Sequence, residues 1–286
     1  MLHPAYQLTE PAMRTTSVIF ASPHSGRDYS WSFLRKTVLD ERMIRSSEDA
    51  FIDMLFEVAP QLGASFLAAK APRAFVDFNR SREELDPVLI DDIRKTSHNP
   101  RISSGLGVIP RVVANGRQIY RGKLSRAEAE SRILDYWQPY HDQLQALLDR
   151  SHAQFGEAVL IDCHSMPHEA VQSVAHPNGI RPDIVLGDRF GAAASGDVVA
   201  RIEEAFTRAG LKVVRNAPFA GAYTAQHYGR PSRAQHVVQV EIDRSLYMNE
   251  QTIRPGANFS HFKELMAGVI SDLAQIGGQP ASLAAE

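Results

Sequence analysis

The sequence predicts an α/β fold with a mostly parallel or mixed sheet flanked by helices. Two observations carry this expectation. Short runs rich in β-branched and aromatic residues, closed by turn residues, recur along the chain, and between them lie longer stretches whose apolar residues repeat at helical spacing. Strands alternating with helices of this length imply crossover connections and a largely parallel sheet.

Taken in order, Ser17–Ala21 (SVIFA), closed by Ser22-Pro23, reads as a buried strand. From Ser47 to Leu62, Phe51, Leu55, Val58 and Leu62 share one helical stripe, with Ser47 as N-cap and Gly63 as the stop. Ala64–Ala69 and Ala74–Phe78 are each expected as a short strand. Ser125–Phe155, with Ile133, Trp137, Leu144 and Leu148 on one stripe, is expected as one long helix, or two, bent near Pro139. Strands are then expected at Val159–Ile161, Asp183–Leu186, Leu211–Val214 and Val237–Ile242, and helices at Val199–Phe206 and Phe262–Ile276. Arg82–Arg121 breaks the pattern: it contains HNPRISSGLGVIP, has little periodicity, and reads as an irregular excursion or lid. Residues 277–286 read as a loose tail. The 286 residues fit a single domain with this one excursion.

Composition narrows the chemistry. Lys+Arg 31 against Asp+Glu 33 leaves a net charge of -2, which gives no general reason to bind nucleic acid or an anionic membrane. No stretch reaches the ~18 apolar residues of a membrane span, and the first residues lack a secretory pattern, so a cytoplasmic protein is expected. Cys163 is the single cysteine, which excludes an internal disulfide and a cysteine-rich zinc site. Any metal centre must therefore use His, Asp and Glu.

In open α/β sheets ligands bind beyond the carboxyl ends of the strands. Four apolar runs carry a polar residue there: His24, Asn79-Arg80, His164 and Glu241. Two imidazoles with a carboxylate form the donor set of a catalytic zinc that keeps one position open. Asp49 suits the carboxylate, two residues past the expected cap Ser47, where it would complement the helix dipole; Glu48 and Asp53 compete, and spacing alone does not separate them. No compact HExxH motif supports the metal reading. A buried carboxylate on an apolar strand is costly without a partner or a task. Glu241 therefore reads as a general base, or as the partner of Arg244. Arg80 reads as a carboxylate clamp with Asn79 beside it, against a plain salt bridge to nearby Glu83 or Glu84. Other chemistries lack support. Cys163 and His164 point to opposite faces of a strand and cannot pair. Gly187–Gly191 has neither phosphate-loop nor Rossmann spacing, and no serine sits in a GxSxG context.

Read together, PHSG (Pro23–Gly26), Asp49, RAFVDFNR (Arg73–Arg80), LIDCHS (Leu160–Ser165), DIVLGDRFG (Asp183–Gly191), HYGRP (His227–Pro231) and QVEIDRSLYM (Gln239–Met248) resemble the N-formylglutamate amidohydrolase family. The resemblance covers residue 17 to about residue 250. It implies a three-layer α/β sandwich akin to the zinc-dependent exopeptidases, and one zinc or other divalent metal per chain held by His24, Asp49 and His164. It also implies metal-activated water with Glu241 as general base. Asn79 and Arg80 would bind the substrate carboxylate, with His227 and Tyr228 near the substrate. The implied reaction is hydrolysis of N-formyl-L-glutamate, or of another anionic N-acyl amino acid, to the free acid and amine. The alternatives are a metallocarboxypeptidase or deacylase with another small substrate, and a non-catalytic binding protein of the same fold. Beyond a small-molecule substrate no partner is implied, and an oligomer is possible.

Overall fold

A computed structural model describes residues 4–94, 99–172, 179 and 181–277. The chain folds as two compact units, Met1–Gln7 with Pro23–Ala50 and Ala68–Gln143, and Leu8–Ser22 with Phe51–Leu67 and Leu144–Glu286.

The described residues form a sheet of seven strands: β1 (Tyr6–Thr9), β2 (Val18–Ser22), β3 (Ser65–Ala69), β4 (Ala158–Met166), β5 (Ile184–Gly187), β6 (Val213–Arg215) and β7 (Gln235–Asp243). Their spatial order is β1-β3-β2-β4-β7-β5-β6. β4 runs parallel to both β2 and β7, and β5 parallel to β6, while β5 meets β7 antiparallel. The sheet is therefore mixed, as one form of the sequence expectation allowed. Every residue of β2 and β4 is buried, which explains why both read as continuous apolar runs. Helix Gly196–Arg208 is capped by Ser195, whose Oγ accepts from the Val198 amide at 3.4 Å, and it buries Val198, Val199, Ile202, Ala205 and Phe206. Helix Phe259–Ala274 buries Phe262, Met266, Val269, Ile270 and Leu273 along one stripe. No described helix is long and apolar enough to cross a membrane.

The expected strands at Ser17, Ala64, Val159, Asp183, Leu211 and Val237 all form, with ends shifted by a few residues. Two expectations fail, at the same kind of place. Ala74–Phe78 is not a strand: the amides of Phe75 and Val76 both turn back to the Pro72 carbonyl, and the Asp77 amide bonds Val108 O at 2.8 Å. Nor does a helix start at Ser47. Phe51 adopts a left-handed conformation (φ 67°) and the helix spans only Ile52–Leu55, followed by a 3-10 turn, Ala59–Leu62, ended by left-handed Gly63. Asp49 thus lies before the helix rather than in its first turn, and the dipole argument for it falls away.

The long helical region begins at Ser125, whose Oγ accepts from the Glu128 amide at 3.2 Å. Arg126–Arg132 passes through a π-helical turn, Ile133–Trp137, before Gln138–Phe155 resumes. Pro139 has no N–H to offer the Asp135 carbonyl, and the wider turn falls where that bond is missing.

In the first unit, the excursion at residues 82–121, described apart from 95–98, is irregular. It holds an α-helical turn, Pro100–Ser103, capped by Asn99, a 3-10 turn, Ala114–Gly116, and isolated bridges that include Val112↔Gln118. It also buries Val108, Ile109, Val113 and Ile119. Residues 95–98, and 278–286 of the expected tail, lie outside the described residues.

Candidate active site

The sheet sets the first part of the site. Where β4 and β7 pair, Asp162 lies opposite Gln239 and His164 opposite Glu241. Register partners on parallel strands point to the same face, so the imidazole and the carboxylate are neighbours by strand geometry alone. Glu241 is buried, and its Oε1 accepts a hydrogen bond from Gln239 Nε2 at 2.7 Å. Gln239 Oε1 in turn accepts from the Ala222 amide at 3.0 Å, the residue before the helix Tyr223–Tyr228. That helix carries His227 and Tyr228. The exposed His227 ring stacks on Tyr223 (centroids 4.9 Å apart) and meets buried Tyr228 edge-on at 4.7 Å.

The first unit carries its residues on turns. His24 lies two residues beyond the end of β2, and its carbonyl accepts from the Asp49 amide at 3.0 Å. This main-chain bond, not a helix start, sets Asp49 beside it: His24 Nδ1 stands 3.3 Å from Asp49 Oδ2. Gly26 closes the PHSG turn so tightly that a Cβ there would run into the Ala71 carbonyl, which requires glycine. The other face of the imidazole is held by Asp77, with His24 Nε2 2.7 Å from Asp77 Oδ1. The same Oδ1 accepts from the Asn79 amide at 2.8 Å, and Arg73 Nε reaches Oδ2 at 3.2 Å. Burial alone would raise the Asp77 carboxyl, but His24, Arg73 and Arg80 together hold it well below the usual carboxylate range. Buried Arg80 donates through Nε to Leu106 O at 3.0 Å and through Nη1 to Asn79 O at 2.8 Å. Desolvation lowers its pKa, with Asp77 working in the opposite direction.

One donor atom from each of His24, Asp49 and His164 lies within 4.8 Å of the other two, and all three side chains are buried. Donors about 2.0–2.2 Å from one zinc ion lie within roughly 4 Å of each other, so small side-chain rotations bring this group to coordination distance. Two imidazoles and a carboxylate suit zinc and comparable divalent ions, and three protein donors leave a position for water or substrate. The residues fit a metal. The competing carboxylates do not join the group. Glu48 is held by its own arginine, with Arg45 Nε 3.0 Å from Oε1 and Nη2 3.1 Å from Oε2. Burial raises its carboxyl while Arg45 and Tyr29 pull it back. Asp53 sits in the first turn of the short helix Ile52–Leu55, outside the cluster. Cys163 is buried and burial pushes its thiol well up, in keeping with a packing role.

Sequence reasoning passed over three residues that organise this site: Asp77, Asp162 and Gln239. Asp162 Oδ2 lies 3.1 Å from His164 Nε2, two residues along the same face of β4. The signal was present, since AFVDF and LIDC each set an Asp inside an apolar run. The reasoning that singled out Glu241, that a buried carboxylate must have a partner or a task, applies equally to both.

An α/β sheet with a buried two-histidine, one-carboxylate cluster, and a carboxylate in register with one of the histidines, is compatible with a hydrolase that activates water at a metal. The comparisons narrow this to one family. The model of the N-formylglutamate amidohydrolase family matches residues 16–248, and the chain belongs to that family of amide hydrolases. It is 31% identical over 262 residues to an N-formylglutamate deformylase of Pseudomonas aeruginosa, spanning 90% of this chain and 91% of that one. It is 30% identical over 236 residues to an N-formylglutamate deformylase of Pseudomonas putida, at 82% of each. A crystal structure of the N-formylglutamate amidohydrolase from Ralstonia eutropha JMP134 superposes with a TM-score of 0.89 at 30% identity, covering 96% of this chain and 98% of that one.

Proposed function

We propose that this chain is a metal-dependent amidohydrolase that cleaves the N-formyl amide of an acidic amino acid, with N-formyl-L-glutamate as the first substrate to test. The observation that carries this reading is the pairing of the His24–Asp49–His164 cluster with Glu241, register neighbour of His164. The named relatives support this substrate class, as does buried Arg80, whose planar fork suits a carboxylate. The whole chain would work as one hydrolytic domain with one divalent ion, zinc by donor preference.

The metal, when bound, supplies a Lewis acid that polarises the formyl carbonyl and makes water acidic enough to attack near neutral pH. Glu241 takes one proton of the attacking water and returns it to the departing amine, so that C–N cleavage yields the amine and formic acid, whose remaining proton passes to the amine to give formate and an ammonium group. Gln239 keeps the Glu241 carboxylate aimed by donating to Oε1. Arg80 and Asn79 bind the amino-acid carboxylate, and His227 and Tyr228 flank the remainder of the substrate.

A panel of N-formyl, N-acetyl and N-succinyl amino acids, followed by release of the free amine, tests the reading. Hydrolysis concentrated on N-formyl-glutamate or N-formyl-aspartate is the expected result. Preference for a longer acyl group or for a peptide would reassign the substrate within the same chemistry. No turnover of any member would favour a binding protein.

A further inference from the structure

We infer that Trp137 and His141 are positioning residues for the substrate clamp. From one face of the long helical region they hold the main chain on either side of Asn79, and so set where Arg80 presents its guanidinium. The inference rests on the reading of Asn79 and Arg80 as that clamp and deepens it. Residues 78–80 are buried and belong to no strand, so their carbonyls need partners from elsewhere. Trp137 Nε1 donates to Arg80 O at 2.9 Å, and His141 Nε2 donates to Phe78 O at 2.9 Å. An indole N–H can only donate and a carbonyl can only accept, so both bonds run from the helical region to the turn. Asn79 O, between them, accepts from Arg80 Nη1 at 2.8 Å, and Arg80 Nε donates to Leu106 O at 3.0 Å. Three successive carbonyls are thus engaged, two by helix side chains and one by the guanidinium itself.

The helix geometry supports this assignment. Trp137 and His141 are four residues apart, so they share a face; both are buried, and their ring centroids lie 3.9 Å apart. The π-helical turn Ile133–Trp137 decides which face that is. In an uninterrupted α-helix five residues advance about 140° past one full turn. Trp137 would then point well away from the side of Arg132. Yet Arg132 Nη1 donates to Phe75 O at 3.1 Å, in the same stretch of turns. The i→i+5 closure of a π turn takes up the extra residue and keeps both parts of the helical region facing residues 75–80. A ring at position 137 that only filled space would need no N–H; a positioning residue needs its donor.

Trp137→Phe and His141→Phe each keep an aromatic ring and remove the donor. The assay is hydrolysis by metal-loaded protein of N-formyl-L-glutamate, or of whichever acid in the panel above is turned over best. Each variant should raise KM about tenfold, keep kcat within about twofold of wild type and retain its bound metal. A double-mutant cycle with Arg80→Gln separates positioning from packing: once Arg80 is gone, Trp137→Phe should raise KM no further. Unchanged KM in the folded donor variants, or effects that add in full to that of Arg80→Gln, would overturn the inference while leaving the clamp reading intact. Should Trp137→Phe fail to fold, His141→Phe carries the same cycle alone. An Arg80→Gln protein with unchanged KM would instead overturn the clamp reading, and with it this role for Trp137 and His141.

Discussion

The two histidines of the cluster are held in opposite ways. His164 stands inside the fully buried strand β4, paired with Glu241 of β7 just beyond the last β2 pair, Ala21↔Asp162, so its backbone position follows from the strand ladder. Its neighbouring Asp162 lies 3.1 Å away, and neither of its oxygens has an aligned hydrogen bond among the described residues. His24 stands beyond the end of β2 on a turn, and its orientation follows from Asp77, Asp49 and the close approach of Gly26 to Ala71. The sheet supplies rigidity on one side; a network of buried carboxylates and arginines supplies it on the other. A turn-held ligand can be lost through second partners, whereas a strand-held ligand is lost only when it is itself replaced.

Substitutions can break or sharpen this contrast. The largest effect is expected at Glu241, where Glu241→Gln should keep bound metal yet reduce turnover by ~10²–10⁴-fold. Unchanged turnover in single-turnover assays would remove Glu241 from the chemistry. On the strand side, Asp162→Asn should leave metal affinity much closer to wild type than Asp77→Asn does, because the β4 ladder still holds His164. Equal losses in chelator competition would erase the distinction. Gln239→Leu comes next. It leaves the Glu241 carboxylate and the Ala222 amide each short of a partner, at a cost of about 1–3 kcal/mol in denaturant unfolding and a further decrease in kcat. A variant as stable and active as wild type would show that Gln239 neither aims Glu241 nor anchors the following helix.

The smallest effect is expected far from the site. Glu128 pairs with Lys36 at 2.7 Å and Arg132 at 2.6 Å. Burial would raise its carboxyl, but these two cations lower it below the usual glutamate value. A lowered folded pKa means that the stabilisation is complete above the unfolded pKa, about 4.3, and is lost as pH falls through the folded value. Glu128→Gln should therefore cost under about 1 kcal/mol at pH 7, and that difference should vanish in acid; activity at neutral pH should not change. A fall in activity would show that Arg132, held by Glu128 and donating to Phe75 O at 3.1 Å, carries the change to the Asp77 turn.

The same division explains what the sequence disclosed. β2, β4 and β7 were legible because strands buried on both faces must be apolar throughout, so a His or Glu within them stands out. Asp49 and Asn79-Arg80 were picked out, but for reasons that do not hold. The turn at Phe51 and the turn at Pro72 depend on partners far along the chain, such as His24 O for Asp49 and Val108 O for Asp77, which local periodicity cannot reveal. Asp77 itself was missed because it lies in a run that looks like a strand, where alternation would place it on a face rather than in a hydrogen-bonded turn. The choice between Glu48 and Asp49 likewise needed the structure, since only the placement of Arg45 shows that Glu48 is engaged elsewhere.

The central claim is that amide hydrolysis here depends on a metal held by His24, Asp49 and His164. Formate release from N-formyl-L-glutamate, measured while metal is stripped and then returned in substoichiometric steps, tests it most directly. Activity should fall to background on chelation and return in proportion to added zinc or a comparable divalent ion, reaching its plateau at one ion per chain. Full-rate hydrolysis by protein verified free of metal would contradict the claim.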